Sequence, residues 1–311
     1  MTQAEPTAEL IDDLKIALAG GEVLRVGPAV SLHHNRSRDA GTTAQVAGLL
    51  EHFLAVAQSH IRFIKRDTAD WQPIGQSEVR YIAQEINAAK HSRGFYLALH
   101  GGEHPQDAHP VAFQCMIPAD WSPEPSTYVS AGFTMGLLVE RQARLTSWAQ
   151  TACEIFDPFH GSGGFTLALN PSWAYAADVV EQIAAILERF PGLDHPALPT
   201  GGFVTRSGPV CANWLTILGM SLVNKMGGQA AVVQAMQDVQ GQTLSWLGGL
   251  VLVAPGAPQI GDRDADAFPS SYRKVGSLIA ALRGAKEAVY FAGANDRDMR
   301  IFGKAWRARF D

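Results

Sequence analysis

Histidines are the first residues of this sequence that could carry chemistry. His100, His104 and His109 lie close together, with Glu103 and Asp107 between them. Imidazole and carboxylate groups that converge in one turn can bind a divalent metal ion. A metal-dependent hydrolase that uses these histidines and Asp107 is therefore one hypothesis. An exposed polar hairpin loop explains the same residues and is favoured, so we predict no metal site and no cofactor.

Serine chemistry is the second candidate. His100–Gly102 and His160–Gly164 have the composition of the oxyanion loops of serine esterases, and Ser162 lies within the second segment. That chemistry also needs an activated serine, usually on a GxSxG turn, and the sequence contains no such motif. We therefore expect the glycines to form a loop before a strand at 165–169, and we predict no catalytic residue.

Aspartates recur at alternate positions near the C-terminus, at Asp262, Asp264 and Asp266. This spacing is typical of the first half of a calcium-binding EF-hand loop, but such a loop would need glycine at 267 and glutamate at 273. The sequence has Ala267 and Arg273 there, so that hypothesis fails. Three carboxylates this close cannot be buried unpaired, and we expect an exposed acidic loop that faces water or a positive partner.

Composition narrows the class of protein. The 311 residues are 47% hydrophobic and carry a net charge of −5, which argues against a protein that grips nucleic-acid phosphates directly. The three cysteines are widely spaced and form no CxxC pair, which indicates a reducing compartment. Residues 1–13 have neither a basic nor an apolar signal segment, and no apolar run is long enough to cross a bilayer. We therefore predict a cytoplasmic protein without membrane contact.

Helical periodicity positions these segments. Apolar stripes predict helices over 7–19, 42–57, 135–152 and 173–190, and Thr42 or Thr43 is the expected cap of the second.

Strands intermix with these helices without a regular alternation. The expected fold is α+β, with mixed or mainly antiparallel sheets packed against amphipathic helices. Residues 1–156 and 157–311 are predicted to be two related α+β halves, within one compact unit.

The C-terminal half carries an ordered set of segments that resembles a known family. They are Phe190–Asp194, Val210–Gly228, Gly248–Pro258, Gly261–Asp262 and Tyr272–Val275, preceded by the glycine-rich segment His160–Phe165. This order is similar to that of the TsiV-like bacterial immunity proteins, which neutralise toxins of the type VI secretion system. The resemblance spans roughly residues 155–285.

The resemblance implies a cytoplasmic binding protein and no enzyme. Its partner would be a cognate toxin, expected to be a DNase, whose active or substrate-binding site the protein occludes. An acidic surface suits that task, because a DNase presents a basic cleft to phosphates. Trp214 and Thr216, inside the similar segment, are expected to be core residues.

Three loops are candidates for contact with the toxin, because each offers carboxylates or an aromatic anchor. They contain Asp262, Asp264 and Asp266; Trp121 and Glu124; and Glu103 and Asp107. Besides the metal-dependent hydrolase, a structural component of a secretion assembly is an alternative. A bound metal would favour the hydrolase, and self-assembly would favour the structural component.

Overall fold

The structure is a computed structural model that describes residues 16–18, 21–67, 69–88, 92–122, 125–140, 144–173, 177–195, 208–283, 305–306 and 308–310. Within these residues the strands are β1 (Ile16–Leu18), β2 (Gly21–His34), β3 (Phe63–Arg66), β4 (Gln72–Pro73), β5 (Phe95–His100), β6 (Ala112–Ile117), β7 (Thr127–Gly132), β8 (His160–Leu169), β9 (Leu215–Gly219), β10 (Gln242–Trp246) and β11 (Gly249–Val253). The helices are α1 (Ala40–Ala57), α2 (Gln76–Val79), α3 (Ile82–Ala88), α4 (Met135–Glu140), α5 (Leu145–Phe156), α6 (Ala177–Arg189), α7 (Met220–Lys225), α8 (Gln229–Asp238) and α9 (Ser270–Ile279).

These strands form a single sheet. Its order is β10-β11-β9-β8-β2-β7-β6-β5-β3-β4, and β1 pairs with β2 outside this path. Every pairing between the named strands is antiparallel. The predicted α+β class with an antiparallel sheet is therefore confirmed.

The long strand β2 lies at the centre of the sheet. It pairs with β8 from Leu24 opposite Leu169 to His33 opposite His160, and with β7 on its other side. The sheet therefore runs without a break from strands of the N-terminal part to strands of the C-terminal part. The division into two related halves, 1–156 and 157–311, stays a prediction.

One face of the sheet packs against α1, α3, α4 and α5. This α1 face carries the alternate apolar residues of the strands, among them Leu99 of β5, Phe113 of β6 and Val251 of β11, all buried. Helix α1 contributes the predicted stripe, and its cap is Asp39, whose carboxylate accepts the N–H of Thr42 at 2.6 Å. The expected cap at Thr42 or Thr43 was one turn too late, because the aspartate precedes both.

The opposite face differs along the sheet. Helices α7, α8 and α9 cover it over β9 and β11 through one apolar cluster. A further cluster joins α6 to β8 and the start of β2, where Leu24 and Val26 have the same alternation as Val30 and Leu32 of the α1 face. On β6 and β7 this opposite face carries Gln114, Met116 and Ser130, which are partly exposed and belong to none of the three clusters of the described residues. We call the opposite side of β5, β6 and β7 the open face.

Three predicted elements differ from the structure. The glycine-rich segment 160–164 was expected to be a loop but is part of β8. Its glycines are explained by close packing, because a side chain at Gly161 would meet the Ser31 carbonyl and one at Gly163 would meet Leu215. The helix expected over 135–152 is two helices, α4 and α5. Residues 16–18 form β1, although a helix was expected over 7–19. Residues 7–15 and 19 lie outside the described residues.

Candidate partner-binding surface

The aspartate loop after β11 is held by an internal ion pair. The Arg189 guanidinium donates to both carboxylate oxygens of Asp262 at 3.0 and 2.9 Å, and its Nε lies 3.1 Å from Asp264. Hydrogen bonds from Arg189 lower the pKa of Asp262. Asp262 thus fixes the loop to the end of α6, whereas Asp264 and Asp266 are exposed.

The loop between β5 and β6 is organised around Asp107. Its carboxylate accepts the N–H groups of Glu22, Glu103 and His104 at 3.2, 3.0 and 2.8 Å, and the residue is 8% exposed. These bonds occupy the carboxylate, so Asp107 shapes the loop from inside. Glu103 is exposed at its surface.

His100 lies beneath this loop, with both ring nitrogens bonded to backbone. Nδ1 accepts the N–H of Gly102 at 3.1 Å, and Nε2 is 3.2 Å from the Pro105 carbonyl, to which it donates. Burial lowers the pKa of His100 to about 4. Among the described residues, no group of three or more His, Cys, Asp or Glu side chains is placed to hold a metal ion.

The loop after β6 presents an aromatic side chain to solvent. Trp121 is 74% exposed, and its indole Nε1 donates to the Ser92 carbonyl at 3.0 Å. That bond fixes the indole orientation while most of its surface remains available for contact. Glu124, the other predicted contact residue of this loop, lies outside the described residues.

The nucleophilic side chains are engaged or buried. Ser162 lies on β8 and donates to the Asp194 carboxylate at 2.5 Å, which ties β8 to the segment after α6. Burial raises the pKa of Cys115 to about 12 and that of Cys211 to about 11, and it also raises the pKa of Cys153. All three thiols therefore remain protonated at neutral pH.

The expected core residues of the similar segment are partly confirmed as such. Thr216 is fully buried on β9, and its hydroxyl bonds with the backbone of Asn213. Trp214 is half-buried, packs against two of the apolar clusters and donates to the Gly256 carbonyl at 2.9 Å. Both residues serve the fold of the C-terminal strands.

Sequence reasoning missed a pocket at one end of the open face. The pocket is a narrow recess of about 50 Å³, and we call it the Trp71 pocket. It is lined by Trp71, His100, Asp107, Ala112, Gln114 and Ser130, among others. The signal in the sequence was weak: a tryptophan in a short loop, and small or polar residues at alternate positions of β6 and β7.

Strand β6 runs between two of these features, the Trp71 pocket and the Trp121 loop. Ala112 at the pocket and Ile117 near the Trp121 loop are the two ends of β6, about 17 Å apart at the usual rise of a strand. Gln114 and Met116 lie between them on the same face. The Trp71 pocket therefore lies at one end of β6 and the Trp121 loop follows the other end, while Glu103 lies beside the pocket in an adjoining groove.

Helix lengths and hydropathy bear on membrane contact. In the portion of the chain that the structure describes, no helix combines the length and the apolar character that crossing a bilayer requires.

Comparisons with known proteins agree with the resemblance seen in the sequence. The fold is similar to that of the Pseudomonas aeruginosa T6SS protein PA0821, with a TM-score of 0.79 and 17% identity over 96% of this chain and 87% of that one. At this identity the similarity shows the fold alone. No curated protein matches the chain. The family model TsiV, described as type VI immunity for VRR-NUC, matches residues 45–310, and the chain therefore belongs to the TsiV family.

Proposed function

We propose that this protein binds a VRR-NUC nuclease toxin delivered by a type VI secretion system and neutralises it by covering the toxin's active or DNA-binding surface. The observation that carries the proposal is the family match over residues 45–310. The partner's chemistry follows from the family description, which names VRR-NUC as the target of immunity.

Charge supports inhibition by occlusion. A nuclease must hold DNA phosphates with cationic side chains. This chain has a net charge of −5, and Glu103, Asp264 and Asp266 are exposed carboxylates on two of its loops. Opposite charges on the two partners accelerate encounter and orient the complex before close contacts form.

The side chains that could support catalysis favour a binding role. His100 is bonded to backbone through both nitrogens, Ser162 donates to Asp194, and the three thiols are buried and protonated. An inhibitor needs none of these groups at its surface. We infer that protection is stoichiometric, with one molecule of this protein covering one toxin.

The compartment follows from the substrate. A DNA-cleaving toxin harms the cell where its DNA lies, so its inhibitor must meet it there. We therefore place this protein in the cytoplasm, where reduced, buried cysteines such as Cys115 and Cys153 are also expected.

Co-expression with a VRR-NUC nuclease, sought first among the genes next to this one, tests the proposal. We expect cells to survive toxin induction only when this protein is present, and purified protein to abolish DNA cleavage at a ratio of about one to one. A catalytically inactive toxin should still bind, which separates binding from turnover.

Two outcomes would count against the proposal. Survival that is unchanged by the protein would remove the immunity role. The metal-dependent hydrolase would instead be favoured by two results together. Elemental analysis would find a stoichiometric metal, and the protein would destroy the toxin at a substoichiometric amount.

A further inference from the structure

The Trp71 pocket has walls that are fixed before any partner arrives. The Trp71 indole Nε1 donates to Asn170 Oδ1 and to Ser172 Oγ, each at 3.2 Å. The Asn170 amide in turn donates to the carbonyls of Pro105 and Asp107, both at 3.0 Å. These bonds join the β3–β4 loop, the β5–β6 loop and the end of β8, so little order has to be gained on binding.

Aromatic contacts hold the same wall from inside. The Trp71 and His100 rings form a T-shaped pair with centroids 4.4 Å apart, and His100 stacks on Phe63 at 5.1 Å. The floor consists of short side chains from the central strands, including Ala112 and Ser130. A narrow, rigid recess of this kind fits one long side chain better than a bulky ligand.

The charges of the lining select the kind of side chain. Among the described residues that line the pocket, none is Lys or Arg, and Asp107 is the single acidic residue. Its carboxylate is bonded to N–H groups inside the loop, so it contributes negative charge to the pocket and no direct contact. Gln114 and Ser130 add side-chain oxygens to the pocket, and the Trp71 ring offers a π-surface. Arg25 and Arg62 line the adjoining groove, which shares Asp107, Ala108 and His109 with the pocket, and Arg25 pairs there with Glu22 at 2.9 Å.

From these observations we infer that the Trp71 pocket receives a lysine or arginine side chain of the nuclease's DNA-binding surface. The aliphatic stem lies along the apolar walls, and the cationic end meets acceptor oxygens and the indole ring. This inference rests on the proposed function and names the part of this chain that carries much of the affinity. It also explains inhibition, because the captured cation can no longer bind a phosphate.

Filling the recess is the direct test. We expect Ala112→Phe to weaken binding of the catalytically inactive nuclease by about thirtyfold, the effect of losing one interface hot spot, as measured by calorimetry. Ala231→Phe, an identical exchange at an exposed position of α8, is the matched control and should bind like the wild type. Thermal unfolding of both variants checks that each is folded.

A second variant tests the chemistry of the occupant. Gln114→Leu nearly preserves volume and removes an acceptor oxygen. A cationic occupant predicts weaker binding and a smaller dependence of affinity on salt concentration, because one charge-assisted contact is lost. Tighter binding by this variant would mean an apolar occupant and would overturn the inference.

The outcomes separate the pocket from the function. If wild-type protein binds the nuclease and folded Ala112→Phe binds equally well, the pocket inference is wrong while the immunity proposal stands. If wild-type protein fails to bind the nuclease, the proposed function fails. Both the pocket inference and the immunity proposal are supported if Ala112→Phe and Gln114→Leu lose binding while Ala231→Phe binds normally.

Discussion

Strands β11 and β6 belong to the same sheet but bury different faces. In β11, Leu250 and Leu252 face one apolar cluster while Val251 and Val253 face another, so both sides are covered. In β6, Phe113 and Cys115 are buried on the α1 face, but Gln114 on the other side is partly exposed. The C-terminal strands thus bury both faces, whereas the N-terminal strands keep Gln114, Met116 and Ser130 partly exposed on one face.

This difference separates residues that maintain the fold from residues that can change with a partner. A side chain packed on both sides by apolar neighbours has little freedom, because any change leaves a cavity or an overlap. A side chain on the open face meets such limits only on one side. Substitutions on the open face are therefore expected to cost less stability than substitutions in β11.

The largest expected effect is on the stability of the doubly covered strands. Leu250 is fully buried, so Leu250→Ala should lower the free energy of unfolding by about 2–5 kcal/mol through lost burial and a residual cavity. Gln114→Ala on the open face should change it by less than about 0.5 kcal/mol. Urea denaturation of the two variants measures the contrast, and an equal loss at Gln114 would show that the open face is structural.

The second effect concerns His100, the buried polar residue at the edge of the open face. Its pKa is about 4 in the fold and 6.5 in an exposed chain, so between these values the unfolded state binds more protons. Stability should therefore fall as the pH drops from 6.5 towards 4, by about 3 kcal/mol from this residue. Denaturation at several pH values should show this loss in the wild type.

A pair of variants isolates the contribution of His100. His100→Phe should be less stable at pH 7, since it leaves the Gly102 N–H and the Pro105 carbonyl without their ring partners, but its stability should vary less with pH. His104→Phe, at an exposed position, should keep the wild-type profile. A His100→Phe profile as steep as that of the wild type would show that other buried histidines, such as His33, dominate.

The third effect is on affinity at the loop that follows β6. Trp121→Ala should weaken toxin binding by about tenfold, because an exposed, oriented indole is a typical interface anchor. Leu247, fully exposed at the β10–β11 turn, offers a control remote from the open face. Equal affinities for Trp121→Ala and Leu247→Ala would limit the interface to the pocket end.

The sequence predicted much of this organisation because periodicity reports burial directly. The apolar stripe of α1, for example, follows from which side chains meet the core. The sequence did not predict that 160–164 lies within a strand, because glycine is typical of turns and the close approach of Ser31 and Leu215 is a tertiary effect. The Trp71 pocket was missed for a similar reason, since its walls come from segments far apart in the chain.

In the predicted contact loops, residue type alone predicted the exposure of some carboxylates but not of others. Carboxylates in a loop indicated exposure, and Glu103 and Asp266 are exposed. Asp107 and Asp262 have the same side chain, but one is enclosed by N–H donors and the other is paired with Arg189. Such partners lie far away in the sequence, so composition could not distinguish a structural aspartate from one at the surface.

The smallest expected effect therefore comes from the aspartate loop, on the half of the molecule whose sheet faces are both covered. Asp266→Lys should slow association with the toxin a few-fold at low salt and leave dissociation nearly unchanged, because an exposed charge outside the main contact acts at long range. Stopped-flow rates at two salt concentrations measure this. Asp262→Lys is an unsuitable probe, since it also removes the ion pair with Arg189. A faster dissociation of Asp266→Lys would place this loop inside the contact and extend the interface beyond the open face.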